Sequence, residues 1–138
     1  MKRILILLAS ALLLLPLAAG AQEAAKINKK NLVIKEWKTD PKGNNKTLDH
    51  ITTFNAEGRK IDEIEYNSDG QKWRKRYEYG ADGKVSKELV YDGRNRLQTY
   101  KKFEFNEFGR KKIQYTYNAK GKLISIKQYE YIAEDGGK

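Results

Sequence analysis

Few residues of this 138-residue chain have the chemistry for catalysis, since it contains one histidine and no cysteine. The serines beyond residue 21 are Ser68, Ser86 and Ser125, and no motif joins any of them to His50. A catalytic triad needs its histidine beside the nucleophile, and a zinc site needs several histidine or cysteine ligands. We therefore predict no catalytic residue, no metal site and no cofactor.

Paired carboxylates are the remaining route to an enzyme. Asp62, Glu63 and Glu65 lie close together in the chain, and two carboxylates roughly 5–10 Å apart can hydrolyse a glycosidic bond. These acids alternate with lysine and arginine, however, which is typical of cross-strand ion pairs on a solvent-facing surface. A small glycoside hydrolase is therefore the least favoured of three functional hypotheses.

Aromatic residues flanked by basic ones form a candidate binding surface. Such a combination suits sugars or single-stranded nucleic acid, because rings stack and cations attract anions. The predicted ligand-binding residues are Trp73, Arg74, Arg76, Tyr77 and Tyr100. The competing interpretation makes the aromatic rings a core whose neighbouring lysines extend to water.

The net charge of +10 indicates a polyanionic partner, such as an acidic polysaccharide, lipid head groups or extracellular nucleic acid. Residues 1–21 contain two basic residues and no acidic one, so the rest of the chain carries +8. The competing interpretation is solubility and protection of exposed strand edges by lysine. The leading hypothesis is thus a non-catalytic binding or structural module, with a polyanion- or glycan-binding protein as the alternative. Its predicted partners are an acidic polysaccharide or another protein of the cell envelope.

The N-terminus has the three parts of a secretory signal peptide. Lys2 and Arg3 precede an apolar run over residues 4–17, and Ala19-Gly20-Ala21 resembles a cleavage site. The run is shorter than the ~20 residues that span a bilayer. We predict cleavage near Ala21, export to the periplasm, cell surface or medium, and no stable membrane insertion afterwards.

A short repeat organises the rest of the chain. Its pattern is an aromatic residue, then Asn, Asp or Gly, two free positions, Gly or Asn, and a polar or basic residue. The fifth positions are Gly58, Gly70, Gly83, Asn95, Gly109 and Gly121. The second position can cap a turn, and the fifth can adopt a positive φ in a three-residue hairpin loop. Each copy therefore predicts one tight turn between two antiparallel strands.

Side-chain alternation predicts the register of these hairpins. The turn type pairs Tyr79 with Val85, Tyr91 with Leu97, and Tyr117 with Leu123. The alternation places Val85, Leu89 and Tyr91 on one side, and predicts one aromatic face and one charged face. After Gly58 and Gly70 the first large apolar residue comes one position late. This delay predicts a bulge within residues 59–65 and an irregularity near 71–73.

The predicted fold is all-β, an antiparallel meander of about eight strands in a curved open sheet. A small up-and-down barrel is the alternative, because eight strands suffice to close one. The predicted parts are a signal peptide (1–21), a polar leader (22–30), the repeat domain (31–132) and a tail (133–138).

The repeat resembles the YD (Rhs-type) repeat of bacterial and teneurin proteins, whose core is Tyr-Asp-x-x-Gly-Arg-Leu. The copy at residues 91–97 is nearest to it, with Asn95 in place of the glycine. Six copies are too few to build the large shell of those proteins. Over residues 1–132 the chain looks more like a family of small exported proteins of gut Bacteroidetes. The resemblance implies a fold and an address, and no activity or site residues.

Overall fold

The computed structural model describes residues 26–134, which form eight β-strands and no helix. The strands are β1 (Val33–Lys38), β2 (Thr47–Phe54), β3 (Lys60–Asn67), β4 (Gly70–Tyr79), β5 (Val85–Asp92), β6 (Leu97–Phe105), β7 (Lys111–Asn118) and β8 (Leu123–Gln128). Each strand pairs antiparallel with the next, in the order of the sequence. The predicted open meander is confirmed, and the closed barrel is wrong because β1 and β8 are the two edges of the sheet. The predicted signal peptide lies outside the described residues.

The repeated turns have the backbone conformation that their residues predict. Asn118 shows the pattern: its Oδ1 accepts bonds from the backbone N–H groups of Lys120 (3.0 Å) and Lys122 (2.9 Å). Gly121 has φ 84°, and Asn95 takes the same left-handed conformation with φ 58°. Asparagine tolerates that region best among residues with a side chain. The copy with Asn95 in place of the glycine therefore still reverses the chain direction.

A seventh turn, which Asp40-Pro41-Lys42-Gly43 itself predicts, precedes the six copies of the repeat. Asp40 Oδ1 accepts bonds from the N–H groups of Lys42 (3.0 Å) and Asn44 (2.8 Å), and Gly43 has φ 78°. The pattern was incomplete here because Thr39 stands where the other copies have an aromatic ring. The turn itself therefore depends on the Asx cap and the glycine, and not on the aromatic residue.

Every one of the six repeat hairpins contains a bulge in the strand that follows the turn. The residues left without a cross-strand partner are Ile61, Lys72, Ser86, Gln98, Lys112 and Ile124. The irregularities predicted in 59–65 and near 71–73 are confirmed, as are the pairs Tyr79–Val85, Tyr91–Leu97 and Tyr117–Leu123.

The bulges reverse the predicted alternation. An inserted residue moves all later side chains of its strand to the opposite face of the sheet. Val85 lies beside Tyr79, whereas Leu89 and Tyr91 lie beside Arg76 and Arg74 on the other face. The expectation that Val85, Leu89 and Tyr91 share a side was therefore wrong.

The aromatic residues before the turns consequently alternate between the two faces. We call the faces the Trp73 face and the Tyr100 face after one residue of each. From the registers, Phe54, Tyr79 and Phe105 project from the Trp73 face. Tyr66, Tyr91 and Tyr117 project from the Tyr100 face. The expectation of one aromatic and one charged face is wrong, because each face carries both kinds of residue.

The sheet is a single layer. Each strand contacts only its neighbours in the sheet, and no side chain among residues 26–134 is fully buried. Strands β1 and β8 are exposed along their whole length. Side chains must therefore shield one another within a face, and interior strands are half-buried by their neighbours alone. No helix in the described part of the chain is long and apolar enough to cross a membrane.

Candidate ligand-binding surfaces

The five predicted binding residues lie on two opposite faces. Trp73 and Tyr77 project from one face of β4, and Arg74 and Arg76 from the other. Tyr100 shares the face of Arg76, because Leu89 pairs with both residues. No single small ligand contacts all five, so the sheet has two separate candidate surfaces.

On the Trp73 face, a polar network surrounds the Glu63 carboxylate. This carboxylate accepts hydrogen bonds from the Tyr77 hydroxyl at 2.7 Å and from Lys60 Nζ at 3.0 Å. His50 Nε2 lies 3.3 Å from the same group, and the His50 ring meets Trp73 edge to face at 5.9 Å. The three strands β2, β3 and β4 each supply part of the network, so the register of the sheet assembles it.

This environment keeps Glu63 ionised. Burial acts to raise the pKa of Glu63, but the hydrogen bonds from Tyr77 and Lys60 and the charges of Lys60 and His50 outweigh it, and the pKa is lowered. Burial, followed by the bond to Glu63, raises the pKa of Tyr77. Tyr77 therefore stays protonated and donates to the Glu63 carboxylate. The lowered pKa of Glu63 is the opposite of the raised pKa that a carboxylic general acid needs.

The neighbouring acidic residues are also engaged. Glu65 pairs with Lys72 at 2.9 Å on the Trp73 face. Asp62 accepts two bonds from Arg74 Nε, at 3.0 and 3.1 Å, on the Tyr100 face. The acids that the sequence places together are thus divided between the faces and bound to cations. Among residues 26–134 no three acidic or histidine side chains are grouped to hold a metal ion.

A cluster of tyrosines and lysines lies on the Tyr100 face. The rings of Tyr100 and Tyr117 stack at 4.9 Å with 11° between their planes. Lys87 Nζ lies 4.8 Å from the centre of the Tyr100 ring, and Lys102 Nζ lies 5.8 Å from that of Tyr117. Lys87 and Lys102 are directly opposite each other on adjacent strands. Sequence reasoning identified Tyr100 alone, because the bulge in β5 decides which lysine lies beside it.

Neither lysine forms an ion pair in the described chain, although Glu78 lies opposite Lys87 on β4. Like charges directly opposite each other destabilise a sheet, and the two tyrosine rings offset only part of that repulsion through cation–π contacts. The pair is therefore a place where an anion gains two cationic partners at once.

Four basic residues form a regular row along one edge of the Trp73 face. Each lies over the aromatic residue at the end of the next strand, once per two-strand hairpin. These contacts, which we call the rungs, are Lys29–Phe54, Arg59–Tyr79, Lys84–Phe105 and Arg110–Tyr131, at 5.4, 5.6, 5.4 and 5.4 Å. The structural unit is thus a hairpin of about 25 residues rather than the 12-residue repeat of the sequence.

The sequence carries a signal for the rungs that the 12-residue period hides. Arg59, Lys84 and Arg110 each follow the glycine of a turn and are 25 and 26 residues apart. Comparing every second copy would have found them. Lys29 lies in the predicted polar leader (22–30) and contacts the sheet through Phe54. Asn31, just after the leader, also contacts the sheet, since its N–H donates to the Asn55 carbonyl at 2.9 Å.

The concave features of the described surface are shallow depressions beside the turns and the β8 edge. One lies between the end of β1, the start of β2 and the β3–β4 turn, and its lining includes Lys38, Asp49 and Tyr66. Another lies between Phe108, Arg110 and Tyr131. Neither depression contains the Glu63 network or the Lys87–Lys102 pair, and no second layer covers either face of the sheet in residues 26–134.

The chain matches no protein-family model and no curated protein. Among solved structures, part of a chain in the crystal structure of a GtfA/B complex bound to UDP and GlcNAc is similar, with a TM-score of 0.32 and 12% sequence identity. The similarity covers 68% of this chain and 19% of that one.

Proposed function

We propose that this protein is an exported, non-catalytic module that binds a linear acidic polysaccharide on the Tyr100 face. The observation that carries the proposal is the pair Lys87–Lys102, which lies beside two stacked tyrosines and forms no ion pair with any residue of 26–134. A carboxylate or sulfate between the two ammonium groups relieves their repulsion. The sugar ring that bears the acid then contacts the tyrosine edges.

The shape of the surface favours a polymer over a small molecule. Small-ligand sites are typically concave and enclose most of the ligand, whereas this face is flat and open. A polymer gains affinity by repeating weak contacts along a surface. Arg76 lies in the same cross-strand row as Tyr100 and is exposed, so it provides a further cation for an extended anionic chain.

The predicted secretory signal supports the choice of polysaccharide, because it addresses the protein to compartments in which acidic polysaccharides occur. The state of Glu63 supports a non-catalytic role, since this partly enclosed carboxylate of the Trp73 face is held as an anion by Tyr77 and Lys60. Binding without turnover is the function that these features jointly support.

The test compares the binding of polygalacturonate with that of the neutral polymer dextran by isothermal titration calorimetry. The double variant K87Q/K102Q is expected to bind polygalacturonate at least tenfold more weakly than the parent, because both cations that face the anion are lost. Affinity of the parent should fall as salt is raised, since salt screens exposed charges.

The matched control is Lys42→Gln together with Lys120→Gln, which removes the same charge from two exposed turns. It should retain most of the affinity. Equal losses in both double variants would show that net charge, and not the Lys87–Lys102 pair, is responsible. A parent that binds neither polymer, or a double-stranded DNA fragment in preference to both, would exclude an acidic polysaccharide as the ligand.

A further inference from the structure

The two edges of the sheet present equivalent, unpaired surfaces. The four hairpins β1–β2, β3–β4, β5–β6 and β7–β8 each contain one rung, and three junctions between hairpins (β2–β3, β4–β5 and β6–β7) join them. Strand β8 ends the fourth hairpin as β2 ends the first. Because the number of strands is even, β1 of another copy can continue the sheet from β8 with the same antiparallel alternation.

Unpaired backbone groups are available at both edges. The Phe54 N–H donates to the Leu32 carbonyl, and the Tyr129 N–H donates to the Lys112 carbonyl. Bonding alternates along an antiparallel pair, so the N–H groups of Val33 and Lys35 point away from β2. By the same alternation those of Ile126 and Gln128 point away from β7.

We propose that β8 of one molecule pairs with β1 of a second copy, so that molecules join head to tail into one continuous sheet. Edge strands with exposed apolar residues are templates for such pairing. The exposed fractions are 50% for Val33 and 48% for Trp37 on β1, and 42% for Leu123 and 56% for Ile126 on β8. All four of these side chains project from the Tyr100 face, and pairing Gln128 with Lys35 brings Ile126 against Trp37 across the junction.

One register satisfies both the backbone and the charges. It pairs Gln128 with Lys35 of the second copy. The N–H groups of these two residues both point away from their own sheets. Lys127 then lies opposite Glu36 on the Trp73 face, and Ile126 lies opposite Trp37 on the Tyr100 face. Neither Glu36 nor Lys127 has an ion-pair partner among the described residues of its own chain.

The same register continues the row of rungs. It places Tyr131 opposite Leu32 of the second copy, three residues after Lys29. Lys29 of the second copy therefore lies before the strand that neighbours Tyr131. Lys84 has the same place within one chain, before β5 and beside Tyr79 at the end of β4. A basic residue would again alternate with an aromatic ring across the junction.

Proline substitutions at the outward N–H groups test the proposal. Ile126→Pro blocks the β8 edge and Lys35→Pro blocks the β1 edge, and neither removes an internal bond of the sheet. In sedimentation analysis of the processed protein, the parent should form a concentration-dependent series of oligomers. Each variant alone should be monomeric, and their equimolar mixture should form a dimer that grows no further. Ile126→Ala and Lys35→Ala, which keep the N–H groups, should still form oligomers. Ile126→Ala should associate more weakly than the parent, because its smaller side chain loses contact with Trp37.

Other outcomes overturn the proposal. A monomeric parent at millimolar concentration would exclude the junction, and so would a mixture of folded proline variants that stays monomeric. A Lys35→Pro variant that dimerises alone would show two-fold pairing of β8 with β8.

A cysteine trap covers the case in which a proline variant does not fold. The parent contains no cysteine, and the proposed register makes Tyr129 and Ile34 of the second copy a non-hydrogen-bonded pair. Such pairs lie about 4.5 Å apart at Cα, within disulfide range. Mild oxidation of mixed Tyr129→Cys and Ile34→Cys proteins should give a cross-linked heterodimer in excess of either homodimer. Failure to enrich the heterodimer would refute the register.

Discussion

At the residue scale, Glu63 is the centre of a polar network that joins β2, β3 and β4. Its side chain is only 19% exposed, and it receives hydrogen bonds from Tyr77 and Lys60. In a layer without a buried core, such a carboxylate provides one of the few enclosed polar contacts between β3 and β4. The network therefore has a structural value that can be measured apart from any ligand.

We expect Glu63→Gln to lower the free energy of unfolding at pH 7 by about 1–3 kcal/mol, because charge-assisted bonds are lost. The pKa of Glu63 is lowered from its ordinary value of 4.5. Its contribution to stability is therefore complete above that value and is lost as pH falls through the lower pKa of the folded state. Urea unfolding between pH 7 and pH 3 measures this contribution.

The control for this prediction is Glu57→Gln, on an exposed turn, which should leave the unfolding free energy nearly unchanged. The parent should lose more stability than Glu63→Gln when the pH falls below about 4.5. Parallel pH profiles for the parent and Glu63→Gln would contradict the assigned role of this carboxylate.

At the scale of the element, each hairpin is defined by a residue with positive φ and a bulge. An Asx cap is added in every turn except that between β4 and β5, where Gly80 stands at the cap position. At Gly121 the backbone cost of adding a side chain can be measured apart from packing. A Cβ there would meet only the Tyr100 hydroxyl, at an ordinary contact distance of 3.6 Å. Any cost of adding a side chain at this position therefore comes from the backbone.

We predict that Gly121→Ala costs about 1–2 kcal/mol of stability, the penalty of a left-handed conformation for a residue with a Cβ. Gly121→Asn should cost less, because asparagine occupies that conformation more readily and already does so at Asn95. Thermal unfolding followed by circular dichroism ranks the variants. Equal stability of the alanine variant and the parent would mean that the turn relaxes to another conformation.

At the scale of the whole molecule, the sheet resembles a one-dimensional array. Strands contact only their sheet neighbours, so stability is approximately a sum of hairpin and junction contributions. Interior strands have two neighbours, whereas β1 and β8 have one and are exposed throughout. Stability should therefore decrease from the centre toward both edges.

Hydrogen exchange measures this gradient. In dilute solution, where molecules are separate, amides of β1 and β8 should exchange fastest and those of β4 and β5 slowest, because edge strands open without disrupting the rest. Raising the concentration should slow exchange at both edges if molecules pair there. Uniform protection along the chain would indicate all-or-none unfolding instead.

The sequence by itself determined where the chain reverses and which residues meet beside each turn. Asx caps and positive-φ positions act over five residues, so Tyr91–Leu97 and Tyr117–Leu123 follow from local chemistry. Only the tertiary structure decided which side chains share a face, because a bulge in every hairpin reverses the alternation and the sequence revealed two of the six. The reversal in β5 brought Lys87 beside Lys102 and Tyr100. Such contacts depend on the register shifts of several strands added together, and no local sequence pattern predicts that sum.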